Sequence, residues 1–166
     1  MKRLSLFLLM TLFVYGLGYS QGTKVFHENF ELPSQADSVT ATGPAGWSLT
    51  SSLASQGVYS DSTKVSTGDT NALITSSIDL TGMSYVMLNF DHICKVEFFD
   101  AGEIFVSTDN GANWTKLTSS EYAGNSAYFN NNGKFNALAY GKWEQGKDTM
   151  PDNSWWKTEQ FDISSI

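Results

Sequence analysis

The stretch from Tyr85 to Phe99, YVMLNFDHICKVEFF, constrains the fold more than any other part of the chain. Leu88, Phe90, His92, Cys94, Val96 and Phe98 share one parity. Asn89, Asp91, Lys95 and Glu97 share the other, and Ile93 and Phe99 are the exceptions. Successive strand residues face opposite sides, so the run predicts one apolar face and one mostly wet face. A second sheet must cover the apolar face, which is the arrangement of a β-sandwich. His92 falls on the apolar parity, which favours a buried, hydrogen-bonded imidazole over a catalytic one.

No long stretch elsewhere shows helical periodicity. Ser, Thr, Asn and Gly are abundant, and short apolar runs alternate with turn residues, the pattern of an all-β chain. Strands are expected in KVFHENF (24–30), GWSLT (46–50), NALITSS (71–77), the 85–99 run, GEIFVST (102–108), WTKLT (114–118) and WWKTEQFDI (155–163). In the last run Trp155 shares parity with Phe161 and Ile163 and is expected to pack inward, with Trp156 facing the other way.

The chain opens MKRLSLFLLMTLFVYGLGYSQ. Lys2 and Arg3 form a charged start, and Leu4 to Val14 is an apolar run too short to span a bilayer comfortably. Gly18 and Ser20 are small residues at the offset for cleavage before Gln21. These features predict a secretory signal over 1–20 and one domain over 21–166, soluble or surface-attached by other means after export and without a membrane span. Ten basic residues face 17 acidic ones, and loss of two bases with the signal takes the net charge from −7 to −9. Arg3 is the only arginine. The mature chain thus lacks the dense cationic surface that nucleic acid requires. It also lacks the guanidinium forks that grip phosphate or carboxylate. Cys94 is the only cysteine. An internal disulfide framework and a cysteine-rich zinc site are therefore excluded.

Residues 119–154 are rich in Asn and Gly yet carry Tyr122, Tyr128, Phe129, Phe135, Tyr140 and Trp143. So many rings in one long loop either complete the core or face a ligand. Flat rings suit the C–H faces of sugars, and amides orient hydroxyls; Tyr128, Tyr140 and Trp143 are the candidate carbohydrate contacts. Glu97, Asp100 and Glu103 are a weaker candidate for catalysis. A retaining glycosidase needs its carboxyls about 5 Å apart on one face, whereas Glu97 and Asp100 have opposite parity and Ala101–Gly102 reads as a turn. No nucleophile–base pair, metal-ligand cluster or phosphate loop is evident, so no catalytic residues are assigned and no cofactor is required.

STDNGANW (107–114) fits Ser-x-Asp-x-Gly-x-x-Trp through Ser107, Asp109, Gly111 and Trp114. It resembles the Asp-box, a hairpin turn of sialidases and many secreted β proteins. Asp109 can accept bonds from turn amides and Gly111 can take positive φ. Sialidases resemble propellers with several boxes and an arginine cluster; this chain has one box and no mature arginine. A wider resemblance rests on order: FHENFE (26–31), AGWSLT (45–50), NALITSSIDLTGMSYVMLNFDH (71–92), EFFDAGEIFVSTDNGANWTKL (97–117) and WWKTEQFDIS (155–164). That order is similar to the MAM-like or choice-of-anchor modules of secreted Bacteroidetes proteins, related to cleaved-adhesin domains.

The resemblance implies an antiparallel jelly-roll β-sandwich, galactose-binding-like or concanavalin-like. It also implies a structural calcium near the N-terminal strand, for which Glu28, Glu31 and Asp100 are candidate ligands. The implied role is a non-catalytic module at the outer surface of a bacterium, recognising a glycan or cell-surface protein in adhesion. The alternative is an N-terminal accessory domain of a larger secreted hydrolase or peptidase. Ile78-Asp79-Leu80-Thr81 is echoed by Phe161-Asp162-Ile163-Ser164. After the first copy another strand follows, and after the second the sequence stops. Relatives continue to a Gly-Trp-x-x-Asp-Asp segment, so the domain is expected to be incomplete at its C-terminus. Intact-mass analysis of the exported protein should show a chain starting at Gln21; retention of residues 1–20 would refute the signal.

Overall fold

A computed structural model describes residues 22–31, 39–144 and 148–166. The signal-like segment lies outside them. The described residues form a small β-rich fold with little helix. Its strands are β1 (Val39–Thr42), β2 (Ser48–Thr50), β3 (Ser60–Ser62), β4 (Ala72–Thr75), β5 (Met87–His92), β6 (Phe105–Val106), β7 (Thr115–Lys116) and β8 (Lys157–Asp162). They pair antiparallel as β1 with β4, β2 with β3, β5 with β8 and β6 with β7.

The β5–β8 ladder organises the interior. Its register sets Leu88 opposite Phe161, Phe90 opposite Glu159 and His92 opposite Lys157. On the other edge of β8 the 121–123 segment pairs in turn: Ala123 N–H donates to the Gln160 carbonyl and Asp162 N–H to that of Glu121. Against this surface pack Leu117, Tyr122, Phe129, Phe135, Ala139, Trp143, Trp155 and Phe161. Five of those eight come from the Asn-rich 119–154 stretch, so its rings largely complete the core. Burying an aromatic side chain stabilises by roughly 2–3 kcal/mol before entropy is counted.

Two expected strands differ from the structure. Residues 22–31 form no strand; Phe30 has a φ of 59° and its N–H bonds Glu28 Oε1 at 2.7 Å, which curls the backbone out of extension. The 85–99 run is a strand only as far as His92. Ile93 and Cys94 both pack against the core, so strict alternation is lost where the sequence pattern first breaks. The long loop holds a helix, α1 (Ala127–Asn132), started by Ser126 accepting from Phe129 N–H and ended by left-handed Gly133. Such caps typically contribute about 1 kcal/mol. Gly102 exchanges 2.8 Å backbone bonds with Phe135. A Cβ there would lie 2.8 Å from Cys94 Sγ, so the close approach needs glycine. Burial raises the Cys94 thiol to about 11, which keeps it protonated and inert at neutral pH.

Ser107, Asp109, Gly111 and Trp114 make the turn between β6 and β7. The Ser107 hydroxyl donates to Asp109 Oδ1 and accepts from Gly111 N–H, both at 2.8 Å. Asp109 also accepts from the Asn113 backbone at 2.8 Å and side chain at 2.6 Å. The Asn113 side chain, more than any other donor, holds the Asp109 carboxyl down at about 2. Asn110 and Gly111 take φ of 56° and 85°, and the Trp114 ring lies over Gly111. Gly111→Ala should cost about 1–2 kcal/mol, because an L side chain resists that φ. We expect a melting temperature lowered by about 3–6 °C; an unchanged melt would show that the turn tolerates a Cβ.

Candidate functional site

β8 carries a charged residue on its inward parity. Lys157, Glu159 and Phe161 share the face that meets the core, and Glu159 is fully buried. Burying a carboxylate without partners is prohibitive. Here three donors converge on it. Tyr140 OH donates to Oε1 at 2.6 Å, Tyr122 OH donates to Oε2, and His92 Nε2 lies 3.3 Å from Oε1. Burial opposes the charged form, but the hydrogen bonds from His92 and the two tyrosines outweigh it, leaving the Glu159 carboxyl below its ordinary value. Burial and the Glu159 bond push Tyr122 up to about 12 and Tyr140 higher still.

His92 is clamped by ring edges from Phe135, Trp143 and Phe90, with centroids at 4.5, 5.0 and 5.2 Å. Beyond the carboxylate the bonding continues outward. Ser126 N–H donates to Tyr122 Oη at 2.8 Å, and Ser126 Oγ donates to the Ala139 carbonyl. The cluster thus ties β5, β8, the 121–123 segment, α1 and the 137–140 turn together. Its groups are committed to one another, which is the arrangement of a structural polar core.

The candidate sugar-binding rings sit close to this cluster, and the structure corrects the assignment of Trp143. Trp143 is completely buried, with Nε1 donating to the Trp155 carbonyl at 2.9 Å. It has no face to offer a ligand. The Tyr140 hydroxyl is spent on Glu159, and Lys157 Nζ stands 5.0 Å over its ring. Tyr128 is half-buried and accepts from Asn136 Nδ2 at 2.9 Å. Trp143 was misassigned because a loop segment offers no parity from which to read orientation, and large rings default to the interior.

Glu28, Glu31 and Asp100 are not gathered. Glu31 Oε1 accepts from the Val58 and Tyr59 amides at 2.9 and 3.0 Å, whereas Asp100 ends a turn in which its N–H bonds the Glu97 carbonyl. Among the described residues no group of three or more His, Cys, Asp or Glu side chains could hold a metal ion. Glu103 is paired with Lys116 at 2.5 Å, apart from that turn.

The same Glu97–Asp100 turn carries two adjacent exposed rings, one of them the most exposed ring among the described residues. Phe98 is 57% exposed and Phe99 91%. The turn is well supported from below. Fully buried Asn136 donates to the Phe98 carbonyl at 3.2 Å and to Tyr128 Oη, and Ala137 N–H bonds the Val96 carbonyl at 3.1 Å. Asn130, Asn131 and Asn132 of α1 are exposed on the element that carries Tyr128. Sequence reading treated Phe98 as part of the apolar parity; the strand's early end at His92 is what releases it.

Comparison with protein-family models, curated proteins and solved structures finds no match for the chain. Among the described residues no helix is long and apolar enough to cross a membrane.

Because the folded-state pKa of Glu159 is lowered, its contribution to stability is present above the unfolded value of about 4.3 and lost as pH falls through the folded value. Urea midpoints at pH 7 and pH 3 should therefore differ less in Glu159→Gln than in the natural chain. Tyr122→Phe, which removes a donor to a charged acceptor, should cost roughly 1.5–3 kcal/mol at pH 7. Equal pH dependence in both proteins would refute a charged Glu159.

Proposed function

We propose that this chain is a secreted or outer-surface jelly-roll β-sandwich module that binds its ligand without converting it, acting in adhesion to a glycan or surface protein. The observation that carries the reading is the anchored Phe98–Phe99 turn. Water-exposed phenyl rings are unfavourable, and turn positions ordinarily hold Gly, Pro, Asn, Asp or Ser. Two adjacent rings on a firmly bonded turn mark a recognition surface. Three further points support a binding role. The interior carboxylate–imidazole–phenol cluster is engaged in holding elements together. The Ser107–Trp114 turn is bonded within itself. The ordered resemblance to choice-of-anchor modules implies a surface setting.

The test presents the exported protein, labelled, to a glycan array and to whole bacterial and host cell surfaces. Saturable binding is expected, reduced at least tenfold in Phe98→Ala/Phe99→Ala, with the array glycans chemically unchanged afterwards. Glycan cleavage by the purified protein, or binding indifferent to both rings, would overturn the proposal.

A further inference from the structure

We infer that the Phe98–Phe99 turn is a docking knob for a protein partner whose apolar pocket is rimmed by Lys or Arg. This rests on the binding-module reading and narrows it to one class of ligand. Three observations choose the class. The two rings meet edge to face, centroids 5.0 Å apart and planes at 84°. A sugar stacks best on a flat platform, whereas a perpendicular pair projects as a wedge that fits a concave apolar pocket. Phenyl rings also lack the polar tip that would orient a hydroxyl.

Charge comes second. Glu97 and Asp100 flank the rings, both exposed. Among the described residues neither carboxylate is in an ion pair. The knob is therefore acidic at its rim on a chain of net charge −7. Such a rim repels an anionic membrane surface or an acidic glycan and complements basic side chains.

Rigidity is the third. The turn closes through Asp100 N–H to the Glu97 carbonyl at 3.0 Å, and the paired Gly102–Phe135 bonds fix the chain just after it. Asn136 holds Phe98 from inside. An anchor already fixed in its bound shape loses little entropy on docking, the property of aromatic hot spots at protein interfaces.

The test uses a phage-displayed dodecamer peptide library selected on the immobilised exported protein. Selected peptides should share an apolar side chain flanked by Lys or Arg. Their affinity should fall at least tenfold in Phe98→Ala/Phe99→Ala. In Glu97→Gln/Asp100→Asn it should fall about threefold to tenfold, with a weaker salt dependence. Tyr85→Ala, exposed elsewhere, should change nothing. Both double variants alter exposed side chains, and circular dichroism melts should match the natural chain. Peptides without basic residues, or affinities indifferent to the rings, would overturn the inference. So would ring-dependent binding confined to array glycans, which leaves the binding role standing, and binding confined to phosphatidylcholine vesicles or to a second copy of the chain in sedimentation, which does not. Absence of ring-dependent binding to every probe would sink both readings.

Discussion

Glu159 accepts hydrogen bonds from two phenols and lies beside an imidazole, in a space otherwise filled by Phe90, Phe135, Trp143 and Phe161. An ionised carboxylate is very unfavourable in such surroundings unless its partners are all in place. The partners come from β5, from the segment that flanks β8 and from the 137–140 turn. Each must be docked before the carboxylate is satisfied. Leaving out any one exposes a charge to an apolar interior, so the cluster penalises partly docked arrangements far more than a purely apolar contact would. That is how the Asn- and Gly-rich segment from Tyr122 to Trp143 comes to hold one conformation. Tyr122 passes the constraint to Ser126, and Ser126 starts α1. Asn136 then fixes both Tyr128 and the Phe98 carbonyl.

The rings of the cluster and those of the Glu97–Asp100 turn stand in different surroundings. Tyr122, Tyr140 and Trp143 carry polar atoms that the interior can use, and each makes a bond there. Phe98 and Phe99 have none, yet they stand in water. Phe129, Phe135 and Phe161 are fully buried among the core rings, so the presence of a polar atom does not decide which rings go inside. Glu159 gathers two hydroxyls and an imidazole around it, while the Asn136 side-chain amide and the Ala137 N–H hold the Glu97–Asp100 turn at the surface.

Strand pattern made the β-rich character legible. The alternation from Leu88 to His92 and the inward parity of Phe161 both read correctly because a period of two leaves little freedom; Trp155 is buried as expected, but from a 3-10 turn that precedes β8. The turn at Ser107–Trp114 was readable for a similar reason: its bonds are local, and residue spacing alone decides them. Glu159 was equally open to reading. It shares parity with Phe161, and a charged residue on an apolar parity is a signal in itself. What hid it was the absence of any sequence mark for its partners, which lie 19 to 67 residues away. Trp143 shows the converse. Its identity as a large ring was plain, but its direction depended on long-range packing that no local spacing records.

β5 and the turn beyond it connect these points. A strand of strict alternation through Phe98 would have turned that ring inward with Leu88 and Phe90. Ile93 and Cys94 instead pack against the core one after the other, and the chain leaves the sheet. Cys94 reaches the gap beside Gly102, where no Cβ would fit, and Gly102 in turn pairs with Phe135 under the ring cluster. The break in alternation is thus built into the core packing. Its consequence at the surface is a rigid turn carrying two phenyl rings between two carboxylates. The interior polar cluster and the exposed rings are two ends of one arrangement: Asn136 and Ala137, next to the buried Phe135, bond the Phe98 and Val96 carbonyls and so fix the turn that carries the two phenyl rings.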